Sequence, residues 1–166
     1  VLPFEFLAAD KYNAIRNNES LFELYRVLIG SCQYITGIIT ARRQDELISL
    51  ASRGNLSPNS SPFEHENIEY NLIFKLKKSG NGGRLSTNKI IERPITASLA
   101  KIIWRLEAFN EAAISQGVVK GKALGLFNNL DVKLCKLSKP DVNTFNAHLN
   151  SICDYFETPL VKFSNG

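Results

Sequence analysis

The run Thr40-Ala41-Arg42-Arg43-Gln44-Asp45-Glu46-Leu47-Ile48-Ser49-Leu50 holds the residues best suited to chemistry. Arg43 and Glu46 stand three apart, which places them on one side of a helix. A guanidinium at a helix start offers a planar fork of donors and stays charged at any working pH. That is what a phosphodiester needs when negative charge builds on its non-bridging oxygens. The bland reading is a solvated Arg-Xaa-Xaa-Glu pair opening a surface helix.

A second concentration of charge follows. Lys75, Lys77, Lys78, Arg84, Lys89 and Arg93 face a single acid, Glu92, over residues 75–93. The segment carries +5, against +4 for the whole chain. The rest of the protein is therefore close to neutral. Such a focus suits a phosphate backbone, where basic side chains displace condensed counterions. The structural alternative is a basic edge strand with a solvated loop.

The elements that must position these groups are readable in outline. Residues 5–16 are expected to form a short helix. Ser20 and Glu23 have capping-box spacing ahead of Leu21, Leu24, Tyr25, Leu28 and Ile29, predicting a helix over 20–36 with that stripe buried. Residues 37–40 read as a turn and 41–53 as a helix with Leu47, Leu50 and Ala51 on one stripe. A loop of turn formers spans 54–67. Tyr70, Leu72, Phe74 and Leu76 alternate with Asn71, Ile73, Lys75 and Lys77, an apolar face against an increasingly basic one, so residues 68–95 read as a β-hairpin with an enlarged loop. Thr96 caps a helix over 97–115, with Leu99, Ile102, Ile103, Leu106 and Phe109 inward. A short helix over 119–128 and a last helix over 140–157, opened by Pro140, complete the chain. The fold class is α+β, mainly α: a helical domain with a small antiparallel β-hairpin.

The order of these features resembles the tyrosine recombinases, the phage-integrase family. Their first box reads Thr-Gly-(Leu/Met)-Arg-Xaa-Ser-Glu-Leu-Xaa-Xaa-Leu. The match puts Arg43 on the catalytic arginine, Glu46 on the acidic residue that supports the active site, and Leu47 and Leu50 on core positions. Ala41 departs from the usual glycine, and Arg42 from a commonly apolar residue. Lys77-Lys78-Ser79-Gly80 resembles the family's lysine turn, and Glu92-Arg93-Pro94-Ile95 its second strand. The resemblance implies Lys78 as general acid, with Lys77 and Lys75 as alternates, and DNA contacts from Lys75, Lys77, Arg84, Lys89 and Arg93.

The family's fold would be present here in part, about the first two-thirds of the catalytic domain. No His-Xaa-Xaa-Arg occurs: His65 and His148 are the two histidines, and neither precedes an arginine at that spacing. Tyr155 falls well before the nucleophile's place and reads as packing. The chain contains no Met, so we expect a portion of a longer protein, without its core-binding domain or its tyrosine. The implied activity is DNA breaking and rejoining through a 3′-phosphotyrosine, inactive in this portion alone. It needs no cofactor and no metal. The implied partners are double-stranded DNA and other recombinase protomers, in the cytoplasm of a prokaryote or encoded by a phage or mobile element. Two further readings are a non-catalytic nucleic-acid-binding module and a helical protein-interaction domain.

Cys32, Cys135 and Cys153 show no metal or disulfide spacing and read as reduced, mostly buried thiols. No apolar run is long enough to cross a membrane.

Overall fold

A computed structural model describes residues 19–64, 68–75, 90–121 and 123–156. The elements in order are α1 (Glu19–Thr40), α2 (Gln44–Ile48), β1 (Leu56–Ser57), β2 (Tyr70–Lys75), β3 (Ile90–Ile95), α3 (Ala97–Ser115), β4 (Asn129–Asp131), β5 (Lys136–Ser138) and α4 (Val142–Tyr155). The architecture is α+β, with helices around a small antiparallel sheet of order β1-β2-β3 and a separate β4-β5 hairpin.

Several expected elements appear where the pattern put them. α3 has the predicted bounds, and the Thr96 hydroxyl accepts from the Leu99 N–H at 3.2 Å, satisfying a free donor of the first turn. Tyr70, Leu72 and Phe74 are buried, as the alternation required. β2 pairs with β3 in the register Tyr70↔Ile95 to Lys75↔Ile90. Leu47, Leu50, Leu99, Ile103 and Leu106 join them in one core. The expected helix over 5–16 and the connector 76–89 lie outside the described residues.

Other expectations are corrected. α1 does not stop at residue 36 but runs to Thr40, so residues 37–40 are helix rather than turn. Its buried face is not the leucine stripe. Ile29, Cys32, Gln33, Thr36 and Thr40 point inward, while Leu28 is 56% exposed and Ile38 61%. No residue from Val27 to Thr40 is charged, so both sides of α1 are compatible with burial and periodicity cannot choose between them. The Thr36 and Thr40 hydroxyls donate to the carbonyls one turn back, each at 2.6 Å, which lets them lie in the core.

The helix expected over 41–53 shrinks to the five residues of α2. The Ala51 N–H goes to the Asn55 Oδ1 at 3.1 Å, and the Leu50 carbonyl accepts from the Leu126 N–H at 3.1 Å. A local side chain and a partner distant in sequence have taken the backbone groups that a longer helix would use. The helix expected over 119–128 does not form either. Leu124 to Asn128 are all buried, an arrangement with no solvent face for a surface helix. Asn110 and Asn128 hold the segment instead: Asn110 Nδ2 donates to the Gly125 and Leu126 carbonyls, and Asn128 Nδ2 to Asn110 Oδ1 at 2.8 Å. Pro140 precedes the N-cap of α4, which is Asp141, rather than opening the helix. Phe109 and Tyr155 are exposed rather than packed inward, and Cys135 is exposed.

α1 and α4 are in intimate contact. A Cβ added to Gly30 would stand 2.3 Å from the His148 carbonyl oxygen and 2.8 Å from its carbon. Only glycine allows backbones so close. One turn along α1, Gln33 Nε2 lies 3.2 Å from His148 Nδ1, and both residues are fully buried. Burial first, and then the charge of Arg26, pushes the imidazole down to about 4.

Gly30→Ala should therefore destabilise the protein by about 1–3 kcal/mol, despite alanine's better helix propensity. Urea unfolding measures this; an unchanged or raised midpoint would mean that the helices separate freely. The imidazole also makes stability depend on pH. In the folded state it stays neutral down to about pH 4, while an unfolded histidine takes a proton near 6.5. The unfolded state binds more protons between those values, so stability falls as pH drops through that window, by about 3 kcal/mol at most. His148→Asn should lose less stability than the parent between neutral and mildly acidic pH. Equal losses in the two proteins would remove His148 as the cause.

Candidate functional site

The arginine box is built by the end of α1. The Ala41 N–H donates to the Ile38 carbonyl at 3.4 Å, and the Arg42 N–H to the Gly37 carbonyl at 3.3 Å. These paired reverse bonds close the helix around a residue in the left-handed region, here Ala41 at φ 50°. Glycine is the usual occupant because a Cβ is crowded in that conformation. The turn sends the chain back across the helix end and starts α2 three residues later.

The two arginines diverge at this turn. Arg42 folds inward, its side chain 13% exposed. Its Nε donates to the Thr40 carbonyl at 3.0 Å, and its Nη1 lies 3.7 Å from Glu46 Oε2. The guanidinium carbon stands 4.8 Å from the Phe74 ring centroid, a cation–π contact that tolerates a cation among core side chains. Arg42 thus occupies a core-facing position as a flat, stacked group. Arg43, the N-cap of α2, is exposed, and its guanidinium has no partner among the described residues. Glu46 is buried beneath both: its Oε2 accepts from the Arg43 N–H at 3.1 Å and faces Arg42. One carboxylate therefore fixes the backbone of one arginine and the side chain of the other.

The Arg42–Phe74 contact joins this turn to β2 one residue before Lys75. Lys75 is the last residue of β2. Arg93 sits on β3 opposite Leu72 and is exposed. Lys77, Lys78, Arg84 and Lys89 lie outside the described residues, as does His65. His148 is sealed between α1 and α4 and is not presented to a substrate. Among the described residues no group of three metal-ligating side chains occurs, and no helix is long and apolar enough to cross a membrane.

Sequence reasoning passed over two features. The partition of Arg42 and Arg43 into buried and free had a signal, since the family's box is commonly apolar at the first of them. Glu107, a carboxylate on the inner side of α3, had none, because a glutamate in an amphipathic helix reads as a solvated residue.

No family model matches this chain, and no curated protein or solved structure matches it either.

Ala41 carries a strain that a single change relieves. Ala41→Gly should stabilise the protein by about 1 kcal/mol, the cost of a left-handed non-glycine residue outweighing the glycine's extra chain entropy. Thermal unfolding tests the sign. A lowered midpoint would show that the turn does not need that conformation.

Proposed function

We propose that this chain is part of the catalytic domain of a tyrosine-type DNA recombinase, carrying its first arginine box and its basic hairpin. The observation that carries the reading is the left-handed turn at Ala41. The family's box has glycine at this place, and here the backbone adopts the conformation that glycine serves. The geometry two residues on has a matching logic. Arg43 is free at the surface while Arg42 is consumed by Glu46 and Phe74, so Arg43 is the arginine left to meet a phosphate.

In this reading the Arg43 guanidinium binds the non-bridging oxygens of the scissile phosphate and stabilises their charge in the transition state. Glu46 is a positioning residue. It holds the Arg43 amide and keeps Arg42 turned away. Lys78 protonates the 5′-hydroxyl leaving group as general acid, and Lys75, Lys77, Arg84, Lys89 and Arg93 contact the DNA backbone. The tyrosine nucleophile belongs to the remainder of the parent protein, whose covalent 3′-phosphotyrosine conserves the energy of the broken bond. Double-stranded DNA and further protomers are the partners.

The concentration of positive charge over residues 75–93 favours one other reading, a nucleic-acid-binding module without catalysis. Arg43→Ala in the full-length parent separates the two. A recombinase should lose cleavage of a nicked suicide substrate by about 100-fold or more, with DNA affinity lowered by less than about tenfold. Cleavage that survives the substitution, or an affinity loss that accounts for the whole effect, would reject the catalytic reading. The present chain alone should form no covalent adduct with DNA.

A further inference from the structure

We propose that the cleft between α3 and the loop Arg53–Asn59 is a binding site for a small organic cation, a guanidinium or primary ammonium group. The cleft has a volume of about 450 Å³ and is lined by Arg53, Asn59, Trp104, Glu107 and Glu111. That is the size of pockets that take small ligands. It contains none of Arg42, Arg43 or Glu46, and it stands whether or not the recombinase reading does.

Glu107 is the decisive group. It is 7% exposed, yet no cation pairs with it among the described residues. Its Oε1 accepts from the Asn55 N–H and from Asn55 Nδ2, both at 2.8 Å. Those two neutral donors hold the carboxylate in one orientation and use one of its oxygens. Oε2 is not sealed in the core and has no partner among the described residues, so it is available to the cleft. A carboxylate held mostly out of bulk water, with one oxygen open to the cleft, is suited to meeting a cation there.

The neighbours define which cation. Trp104 stands one turn before Glu107 on α3 and lines the same cleft while packing against the core, and an indole beside a carboxylate suits a flat or compact organic cation. Glu111, one turn after Glu107, places a second carboxylate at the rim, 3.2 Å from Arg53. Both members of that pair are well exposed, and such a pair resists little when a ligand competes for the carboxylate. Aromatic face, fixed buried carboxylate and rim carboxylate together suit a guanidinium or ammonium head with a short aliphatic stem. A bare metal ion would find one free oxygen on Glu107 and no use for the indole.

Trp104 is the chain's one tryptophan, so its fluorescence reports the cleft directly. The 166-residue chain is titrated with n-butylguanidinium and, separately, with its neutral isostere n-butylurea. The expected result is saturable binding of the cation with a Kd below about 1 mM, and binding of the urea at least about tenfold weaker. Glu107→Gln keeps an oxygen for Asn55 and should weaken the cation by about tenfold or more. Arg53→Ala should leave binding equal or tighter. A blocked peptide, acetyl-Gly-Arg-Gly-amide, distinguishes the source. Binding like that of n-butylguanidinium assigns the site to an arginine side chain of a partner, and selective binding of the small cation assigns it to a free metabolite. The proposal is overturned if n-butylguanidinium fails to saturate by about 10 mM, or if the urea binds equally well. The comparison of the two isosteres needs no variant, so it decides the matter even if Glu107→Gln does not fold.

Discussion

The close approach of α1 and α4 at Gly30 is the constraint around which the described structure is arranged. With a side chain at that point the two helices could not lie at their observed separation, and Gln33 and His148 could not meet. α1 touches α4, both sheets and the other two helices, so its placement decides theirs. The uncharged stretch from Val27 to Thr40 makes this role affordable on the buried side. It also leaves Leu28, Ile35 and Ile38 open on the other side, a second apolar face on one helix.

The arginine turn is a consequence of where α1 stops. A helix ended by a left-handed residue reverses the chain within two positions, and that reversal separates two consecutive arginines into different environments. Arg42 is buried by stacking on Phe74 and pairing with Glu46; Arg43 remains free above the first turn of α2. A buried pair of this kind adds little to stability by itself, because desolvation offsets the attraction. Its effect is on position. It ties the turn to β2 at Phe74, the residue preceding Lys75.

Buried amides do for the loops what hydrophobic stripes do for the helices. Asn55 joins the backbone after α2 to Glu107 on α3. Asn110 and Asn128 hold residues 124–128 against Leu50 and Ser52. Tyr25 closes the set by donating to the Asn128 carbonyl at 2.9 Å. These bonds hold the segments past the arginine turn in irregular form, and those of Asn55 fix Glu107 at the cleft. Satisfied networks of this kind fix one arrangement, because any partial loss strands polar groups away from water.

By itself the sequence determined α3 with its Thr96 cap, the alternating strand Tyr70 to Phe74, and the inward placement of Leu47 and Leu50. Each follows from a local pattern with a single solution: one apolar stripe, one cap or one alternation. It also located the concentration of basic charge over residues 75–93. Only the tertiary structure decided which side of α1 is buried, because both sides are apolar and the choice lies with Gly30 and His148. It alone decided that 41–53 is one short helix and that 119–128 is no helix, because Leu50 and Gly125 give their carbonyls to partners distant in sequence, while Ala51 bonds to the Asn55 side chain four residues on. The separation of Arg42 from Arg43 was settled in the same way. The turn, Glu46 and Phe74, brought across from β2, together take the side chain of Arg42 and leave that of Arg43 exposed.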